Sequence, residues 1–358
     1  MGVLFIVILL GYVGMTGLIS WQICKTLNSR MAKVITASSI VLLSLSFFLS
    51  RLLPASSPLW LAKSIYVIST SWLLVMLYGS IFMGLIHLAR LIMRLSYKPL
   101  LPLRYTTYIG AFAAVIVLII GGHINARSTK IIPYHVSLPD NIKIVAVSDI
   151  HMGHSVGKED IERLANSINE QNADLCIIAG DLFDGDVRPV IEQDLGAGLR
   201  LINCPVVDVM GNHEYIGGNP NVDADYIKGL GITLLRDSVM TFKNLTLVGR
   251  DDPHVSFHSG VAPKPLSELI PDSARNIIVI DHQPSRIDES ANAKALLHIS
   301  GHTHAGQVWP FRLFTGMIFP LDYGKKQFDN TTAIVTSGFG TWGPRVRLAS
   351  QSEIIVIR

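Results

Sequence analysis

The sequence is poor in cysteine and in charged residues. Its 358 residues include three cysteines, Cys24, Cys176 and Cys204, which show no regular spacing. This excludes a disulfide framework and a structural zinc site built from cysteines. Charged residues make up 16% of the chain and the formal net charge is +3. No nucleic-acid binding is expected from so small an excess of positive charge.

Hydrophobic residues are abundant instead, at 49% of the chain, and the mean hydropathy is +0.40. Four apolar segments in the first third approach the roughly 20 residues that cross a bilayer as a helix. They are Val3–Trp21, Val34–Ser50, Ile65–Ala89 and the shorter Thr107–Gly122. The first has neither a basic start nor a small-x-small cleavage site, so it is interpreted as an uncleaved anchor. The sequence predicts an all-α membrane domain of four transmembrane helices at residues 1–125, followed by a second domain at residues 126–358.

The basic residues of the loops indicate how these segments cross the membrane. The loops after the first and third segments are rich in them: Lys25, Arg30, Lys33, Arg90, Arg94, Lys98 and Arg104. The loop between the second and third segments carries only Arg51 and Lys63, although Arg127 and Lys130 oppose the trend. Because basic loops stay in the cytoplasm, four crossings predict a multi-pass protein of the cell membrane with its C-terminal domain outside the cytoplasm.

Beyond residue 126 the pattern becomes that of an α/β domain. Short apolar runs of strand length are Ile142–Val147, Leu175–Ala179, Val206–Met210, Leu245–Gly249, Ile277–Ile280, Leu296–Ser300 and Ile334–Thr336. Lys158–Gln171 has apolar residues at helical spacing and predicts a helix that crosses over a sheet. Val190–Leu201 is a weaker helix prediction, and Ser128–Pro139 is interpreted as a linker.

Five short runs in this domain carry side chains that bind metals. They are Asp149-Ile-His151, Gly180-Asp181-Leu-Phe-Asp184, Gly211-Asn212-His213-Glu214, Asp281-His282 and Gly301-His302-Thr-His304. Nearly all follow an apolar, β-branched stretch, which is how a sheet presents ligands from the carboxyl ends of its strands. Asp, Asn and His without Cys suit two divalent cations, with Mn as the default and Fe or Zn as alternatives. Such a centre activates water against a phosphoester.

The order of these five runs resembles the calcineurin-like metallophosphoesterase superfamily. The resemblance covers about Ile142 to the C-terminus. The run Gly301–Gln307 and the tail Ser337–Arg345 are similar to a bacterial branch of exported or membrane-anchored phosphoesterases. The resemblance implies an α/β fold of four layers, a β-sandwich of two mixed sheets flanked by helices. Its ligands lie on loops at one edge.

The resemblance also implies a role for each residue of these runs. The first metal would be bound by Asp149, His151, Asp181 and His304. The second would be bound by Asp181, Asn212, His282 and His302, so that Asp181 bridges the two. His213 would be the catalytic histidine that stabilises the transition state or protonates the leaving oxygen, and Asp184 would orient it.

Three functions stay open at this point. The membrane anchor favours a phosphoesterase whose phosphomonoester, phosphodiester or diphosphate substrate is lipid-linked, because tethering raises the local concentration of the enzyme at the membrane. The alternatives are a phosphoesterase for soluble extracytoplasmic substrates and a non-catalytic metal-dependent membrane sensor. The apolar segment Phe311–Phe319 is either a core strand or a lip that touches membrane or acyl chain.

Overall fold

The computed structural model describes residues 2–54, 56–96 and 105–358, with residues 2–5, 7, 8, 51, 105 and 106 described by their backbone alone. The chain forms two compact units, Met1–Gly121 and Gly122–Arg358. The predicted division between residues 125 and 126 lies close to this boundary and stays a prediction.

The first unit consists of long helices, as the apolar segments predict. They are α1 Gly2–Thr26, α2 Arg30–Leu52, α3 Leu59–Leu95 and α4 Tyr105–Arg127. Among the described residues, three stretches are long and apolar enough to span a membrane: Arg30–Ser50, Leu59–Leu95 and Thr107–Arg127. The remaining predicted span, Val3–Trp21, lies on α1. Several of its side chains are outside the part of the chain that the structure describes. The segment predicted to be short, Thr107–Gly122, belongs to a longer helix.

The second unit alternates strands with helices. Its strands are β1 Thr129–Tyr134, β2 Ile144–Val147, β3 Leu175–Ile178, β4 Val206–Val209, β5 Thr233–Leu235, β6 Ser238–Phe242, β7 Leu245–Gly249, β8 Ile277–Ile280, β9 Leu297–Ser300, β10 Gly324–Phe328, β11 Thr331–Val335 and β12 Ser352–Ile357. Its helices are α5 Lys158–Asn169, α6 Arg188–Glu192, α7 Gly196–Leu199, α8 Asn212–Ile216, α9 Pro220–Gly229, α10 Val255–Ser259, α11 Leu266–Leu269, α12 Ile287–Asn292 and α13 Phe311–Ile318.

The strands form two six-stranded mixed sheets, which confirms the predicted fold class. Their strand orders are β1-β12-β2-β3-β4-β5 and β10-β11-β9-β8-β7-β6. One apolar core contains Ile144 and Ile177 of the first sheet together with Leu247 and Ile278 of the second, so the two sheets pack face to face. The opposite face of the first sheet packs on α5, and that of the second sheet packs near α11 and α12. The result is four layers, with helices outside and sheets inside.

Two predictions in this unit need correction. Ser128–Pro139 is not a linker throughout, because Thr129–Tyr134 is a strand that pairs in parallel with β12. Its Lys and Pro residues hide the strand pattern, and its partner lies at the other end of the chain. The weak helix Val190–Leu201 is two short helices, α6 and α7, separated by a turn at Asp194 with a positive φ.

The parallel strands bring the predicted ligand runs to one edge. In the first sheet β2, β3 and β4 are parallel neighbours, and in the second β7, β8 and β9 are parallel neighbours. All these strands therefore end on the same side of their sheet. The loops that follow β2, β3, β4, β8 and β9 carry the five ligand runs.

Candidate metal centre

The site is built from loops whose backbone is unusual. Five of its residues have a left-handed conformation that non-glycine residues rarely adopt: Asp149 (φ 52°), His151 (50°), Asp181 (53°), His302 (70°) and His304 (50°). Each such residue costs on the order of 1–3 kcal/mol and persists only where the surroundings enforce it. Such strained residues are typical of functional sites, and here five of them lie at the ends of the strands.

Two glycines of the runs allow these loops to approach one another closely. A Cβ on Gly211 would clash with Asp181 Oδ1, and a Cβ on Gly301 would clash with Ser148 and with Asp149 Oδ2. Glycine is therefore required at both positions by space rather than by its φ angle.

The first cluster contains Asp149, His151 and His304, all of them buried. The Nε2 atoms of His151 and His304 are 3.0 Å apart, and His304 Nε2 lies 3.3 Å from Asp149 Oδ1. The His302 backbone N–H donates to both Asp149 oxygens, at 3.0 and 3.1 Å. Two imidazole nitrogens and a carboxylate oxygen therefore converge on one point.

The second cluster contains Asp181, Asn212, His282 and His302. His282 Nε2 lies 3.2 Å from Asp181 Oδ2 and 3.1 Å from Asn212 Oδ1. Asn212 Oδ1 also lies 2.7 Å from His302 Nδ1. Asp181, His282 and His302 offer ligand atoms that all lie within 4.8 Å of one another.

Asp181 lies between the two clusters. Its Oδ2 is 3.2 Å from His282 of the second cluster and 3.8 Å from His151 of the first. Its other oxygen, Oδ1, accepts a hydrogen bond from the His213 backbone N–H at 2.9 Å. This fixes the carboxylate in an orientation that turns one oxygen towards both clusters.

The electrostatic field of the centre favours positive charge. Burial lowers the pKa of His282, but Asp181 and Asp149 outweigh burial and raise this pKa well above its ordinary value. Burial raises the pKa of Asp181, but His282 and neighbouring histidines outweigh it and lower this pKa well below its ordinary value. The site therefore stabilises an ionised Asp181 next to a cationic group, whether that group is a proton on imidazole or a metal ion.

His302 and His304, the two histidines of the Gly301–His304 run, are held neutral. Burial, followed by the charge of His282, lowers the pKa of His302 to about 4. Burial, followed by His151 and Arg347, lowers the pKa of His304 well below its ordinary value. A neutral imidazole is the form that binds a metal ion. The two carboxylates, four imidazoles and one amide oxygen of the two clusters thus fit divalent cations in number and in chemistry.

His213 and Asp184 form a pair beside the first cluster. His213 Nδ1 lies 3.7 Å from Asp184 Oδ1, and the same oxygen lies 3.5 Å from His151 Nδ1. The rings of His151 and His213 meet edge to face with centroids 4.6 Å apart. About a quarter of the His213 side chain is exposed, in contrast to the fully buried His151. Of the two histidines near Asp184, His213 is therefore the one that a bound molecule can reach.

Several residues outside the predicted ligand set hold the centre in place. His282 Nδ1 donates to the Ala179 carbonyl at 2.8 Å, which leaves Nε2 free to face Asp181. The buried Glu214 accepts from the N–H groups of Gly211 and Phe183 at 2.7 and 2.9 Å, and so ties the loop after β4 to the loop after β3. The GNHE run contained Glu214, but its spacing gave no indication of this role.

Arg347 lies inside the domain, beside His304. It is buried, donates to the carbonyls of Gly338 and Gly340, and lies 3.4 Å from His304 Nδ1. Arg345 forms an ion pair with Asp160. Both arginines therefore shape the loop behind His304.

Three other polar residues of the domain, His254, His258 and Asp251, bond to partners outside the two clusters. His254 Nδ1 donates to Asp252 Oδ1 at 2.7 Å. His258 contacts the Tyr215 carbonyl. Asp251 is buried and accepts hydrogen bonds from Tyr215 and Arg236.

Several known proteins are similar to this chain. The family described as calcineurin-like phosphoesterase matches residues 142–306. The chain is 30% identical over 226 residues to an uncharacterized metallophosphoesterase of Helicobacter pylori strain J99, over 62% of this chain and 60% of that protein. It is 24% identical over 359 residues to a Bos taurus protein named transmembrane protein with metallophosphoesterase domain, over 91% of this chain and 80% of that one.

The chain spans about three fifths of the length of the Helicobacter relative. Among solved structures, the protein TT1561 of Thermus thermophilus is similar over 56% of this chain and 91% of its own, with a TM-score of 0.37 and 13% identity.

Proposed function

We propose that this chain, whose residues 142–306 match the calcineurin-like phosphoesterase family, is a dinuclear metal-dependent phosphoesterase. The observation that carries the proposal is the position of Asp181, whose Oδ2 faces His151 of one ligand cluster and His282 of the other. A shared carboxylate between two such clusters is what two adjacent cations require.

The proposed ligands are those of the two clusters. One cation would be held by Asp149, His151, Asp181 and His304, and the other by Asp181, Asn212, His282 and His302. The two cations, Mn, Fe or Zn, would supply an activated water and neutralise charge on the phosphoryl oxygens. The protein's own contribution is to hold these side chains rigidly, through the strained loops and through contacts such as His282 to Ala179.

His213 is proposed to act directly on the substrate. It is the exposed histidine of the His151–Asp184–His213 group, so its ring can reach the leaving oxygen and donate a proton to it. Asp184 lies near its Nδ1 and would fix the orientation of the ring, so that Nε2 faces the substrate. A sensor that binds a ligand without hydrolysis would need neither group, which disfavours the non-catalytic alternative.

The enzyme is proposed to be anchored in the cell membrane by several spans, with its catalytic domain outside the cytoplasm. The support is the helices of the first unit and the excess of basic residues in two of their loops. Two of those residues, Lys98 and Arg104, lie outside the described residues.

A reporter fused after Arg358 tests this orientation. Alkaline phosphatase should be active there, because it needs an oxidising compartment, and a fluorescent protein that folds only in the cytoplasm should be dark. The reverse pattern would mean that the chain crosses the membrane an odd number of times, or that the basic residues are too few to set its orientation. It would move the substrate to the cytoplasmic leaflet and leave the metal chemistry unchanged.

Two substrate classes follow from the anchor. A lipid-linked phosphoester is the first, because the membrane helices keep the enzyme at the surface where such a substrate is concentrated. A soluble extracytoplasmic phosphoester is the second, with the anchor serving only for retention.

Phosphate release by the purified full-length chain tests the proposed function. The chain, loaded in turn with Mn, Fe and Zn, is assayed on lipid and on water-soluble phosphomonoesters, phosphodiesters and diphosphates. Faster turnover of lipid substrates supports the first class, and equal turnover in detergent supports the second. No turnover of any of them with any of the three metals would refute the hydrolytic function.

A further inference from the structure

The helix α13, which begins seven residues after His304, exposes its apolar side. Its sequence is Phe-Arg-Leu-Phe-Thr-Gly-Met-Ile, and none of its residues is buried. Met317 is 75% exposed, Ile318 69%, Leu313 60% and Phe314 51%. An ordinary surface helix buries such residues against the core and exposes its polar ones.

The polar side of α13 faces the domain instead. Thr315 donates to Asp322 Oδ2 at 3.2 Å, the Arg312 guanidinium lies 5.6 Å from the centre of the Tyr323 ring, and Gly306 lies against the Arg312 backbone. At 100° per residue these positions lie on one side of the helix, and Leu313, Phe314, Met317 and Ile318 lie on the other. The helix is therefore amphipathic, but its polar side faces the domain and its apolar side faces outward. Within the described part of the chain, no residue buries that apolar side.

Tryptophan extends this surface at its start. Trp309 is 51% exposed and precedes α13 by two residues. Trp342 is 40% exposed. The Gln307 side chain donates to the Trp342 carbonyl at 3.0 Å and accepts from the Trp342 N–H at 3.2 Å. Tryptophan is the residue that most favours the interface between lipid and water.

The chain on and just after the helix carries more basic than acidic side chains. Between Ala305 and Phe328 the chain carries three basic side chains, Arg312, Lys325 and Lys326, and one acidic side chain, Asp322, which is occupied by Thr315. The three basic side chains are exposed. An apolar face with Trp at its edge and with basic neighbours matches a bilayer surface that contains anionic lipid.

We propose that α13, together with Trp309, is a membrane-binding helix whose occupant is the bilayer surface, with Leu313, Phe314, Met317 and Ile318 inserted among the lipids. The same chain carries helices long enough to span a bilayer, which would keep the chain at such a surface. Phe319, directly after α13, contacts the His302 ring with centroids 5.5 Å apart. Insertion of α13 therefore places one side of the proposed metal centre at the lipid headgroups, a consequence that rests on the proposed function.

Fluorescence of the full-length chain in lipid nanodiscs tests this proposal. The substitutions Cys24→Ser and Cys204→Ser remove the two accessible thiols and leave the buried Cys176. Met317→Cys then accepts an environment-sensitive label. The matched control is Ile191→Cys on α6, which is 49% exposed on another helix of the same unit. The nanodiscs contain phosphatidylethanolamine and phosphatidylglycerol, with or without brominated acyl chains.

The label at position 317 should lose more than about half of its emission to brominated lipid and resist aqueous iodide, since an interfacial helix lies about 5–10 Å deep. The label at position 191 should respond to iodide alone. Replacing Leu313 and Phe314 by Glu should restore iodide quenching at position 317, and neutral lipid in place of phosphatidylglycerol should weaken the quenching by brominated lipid.

Equal responses at the two positions would overturn the proposal. Cross-linking between two Met317→Cys chains without lipid quenching would do so as well, because it would make a second copy the occupant. The experiment involves no turnover, so its failure is distinct from a failure of the proposed hydrolysis.

Discussion

Replacing Asp181 by Ala should abolish most phosphoester hydrolysis and remove bound metal. Asp181 Oδ2 lies within 4 Å of an imidazole nitrogen of each ligand cluster, at 3.8 Å from His151 and 3.2 Å from His282, so its loss would take negative charge from both proposed cations at once. Loss of a single electrostatic contact to a transition state costs about 10²–10³ in rate. A ligand shared by both metals should cost at least about the upper end of that range.

The matched control is Asp186→Ala. Asp186 lies five residues further along the same loop and pairs with the exposed Arg188. This variant should keep its metal and its activity, so that a loss specific to Asp181→Ala reports on the centre rather than on the loop. An Asp181→Ala chain that is active and retains two metal ions per molecule would refute the bridging assignment.

Replacing His213 by Ala should leave the metals in place and slow the hydrolysis of substrates with poor leaving groups. His213 is not a member of either proposed ligand cluster, and its side chain is partly exposed beside Asp184. General acid catalysis contributes about 10²–10⁴ in rate. A nitrophenyl phosphoester needs the proton less, because its leaving group is already stable, so its hydrolysis should slow much less than that of an alkyl ester.

The pH profile provides a second measurement of this role. Burial is the main cause that lowers the pKa of His213 below its ordinary value of 6.5. A general acid works only when it is protonated, so kcat/KM on the alkyl ester should fall as the pH rises through this lowered pKa. The fall should vanish in His213→Ala and persist in the control His135→Ala, a histidine on the surface at the end of β1. Equal losses on both substrates would leave His213 with electrostatic stabilisation only.

The sequence predicts the part of the fold that depends on local pattern. The buried strands β7 and β8 have the predicted bounds, because a strand that is buried on both faces is a short, mainly apolar run of residues. The edge strand β1 was missed because it is partly exposed, contains Pro133, and exists only through its pairing with β12 more than 200 residues later. Pairing over such a distance leaves no local signal.

The same distinction holds at the site. The seven ligand candidates, His213 and Asp184 were named from the sequence because each run carries its own pattern, and the structure brings all nine together. The roles of Arg347 and Glu214 were not predicted, since they depend on contacts with the backbone of distant loops. The segment Phe311–Phe319 was expected to be a strand or a lip. It forms a helix whose apolar side faces outward. The spacing of its apolar residues is compatible with a helix, but only the exposure of the side chains in the structure shows which side faces outward.

The central claim is that this chain hydrolyses phosphoesters with two cations shared through Asp181. Titration of metal-free, full-length chain with Mn²⁺, read as the rate of phosphate release, tests it most directly. The rate should rise until two equivalents per chain are bound and then remain constant, and chelation should abolish it. A rate that saturates at one equivalent, or that survives removal of all metal, would contradict the account.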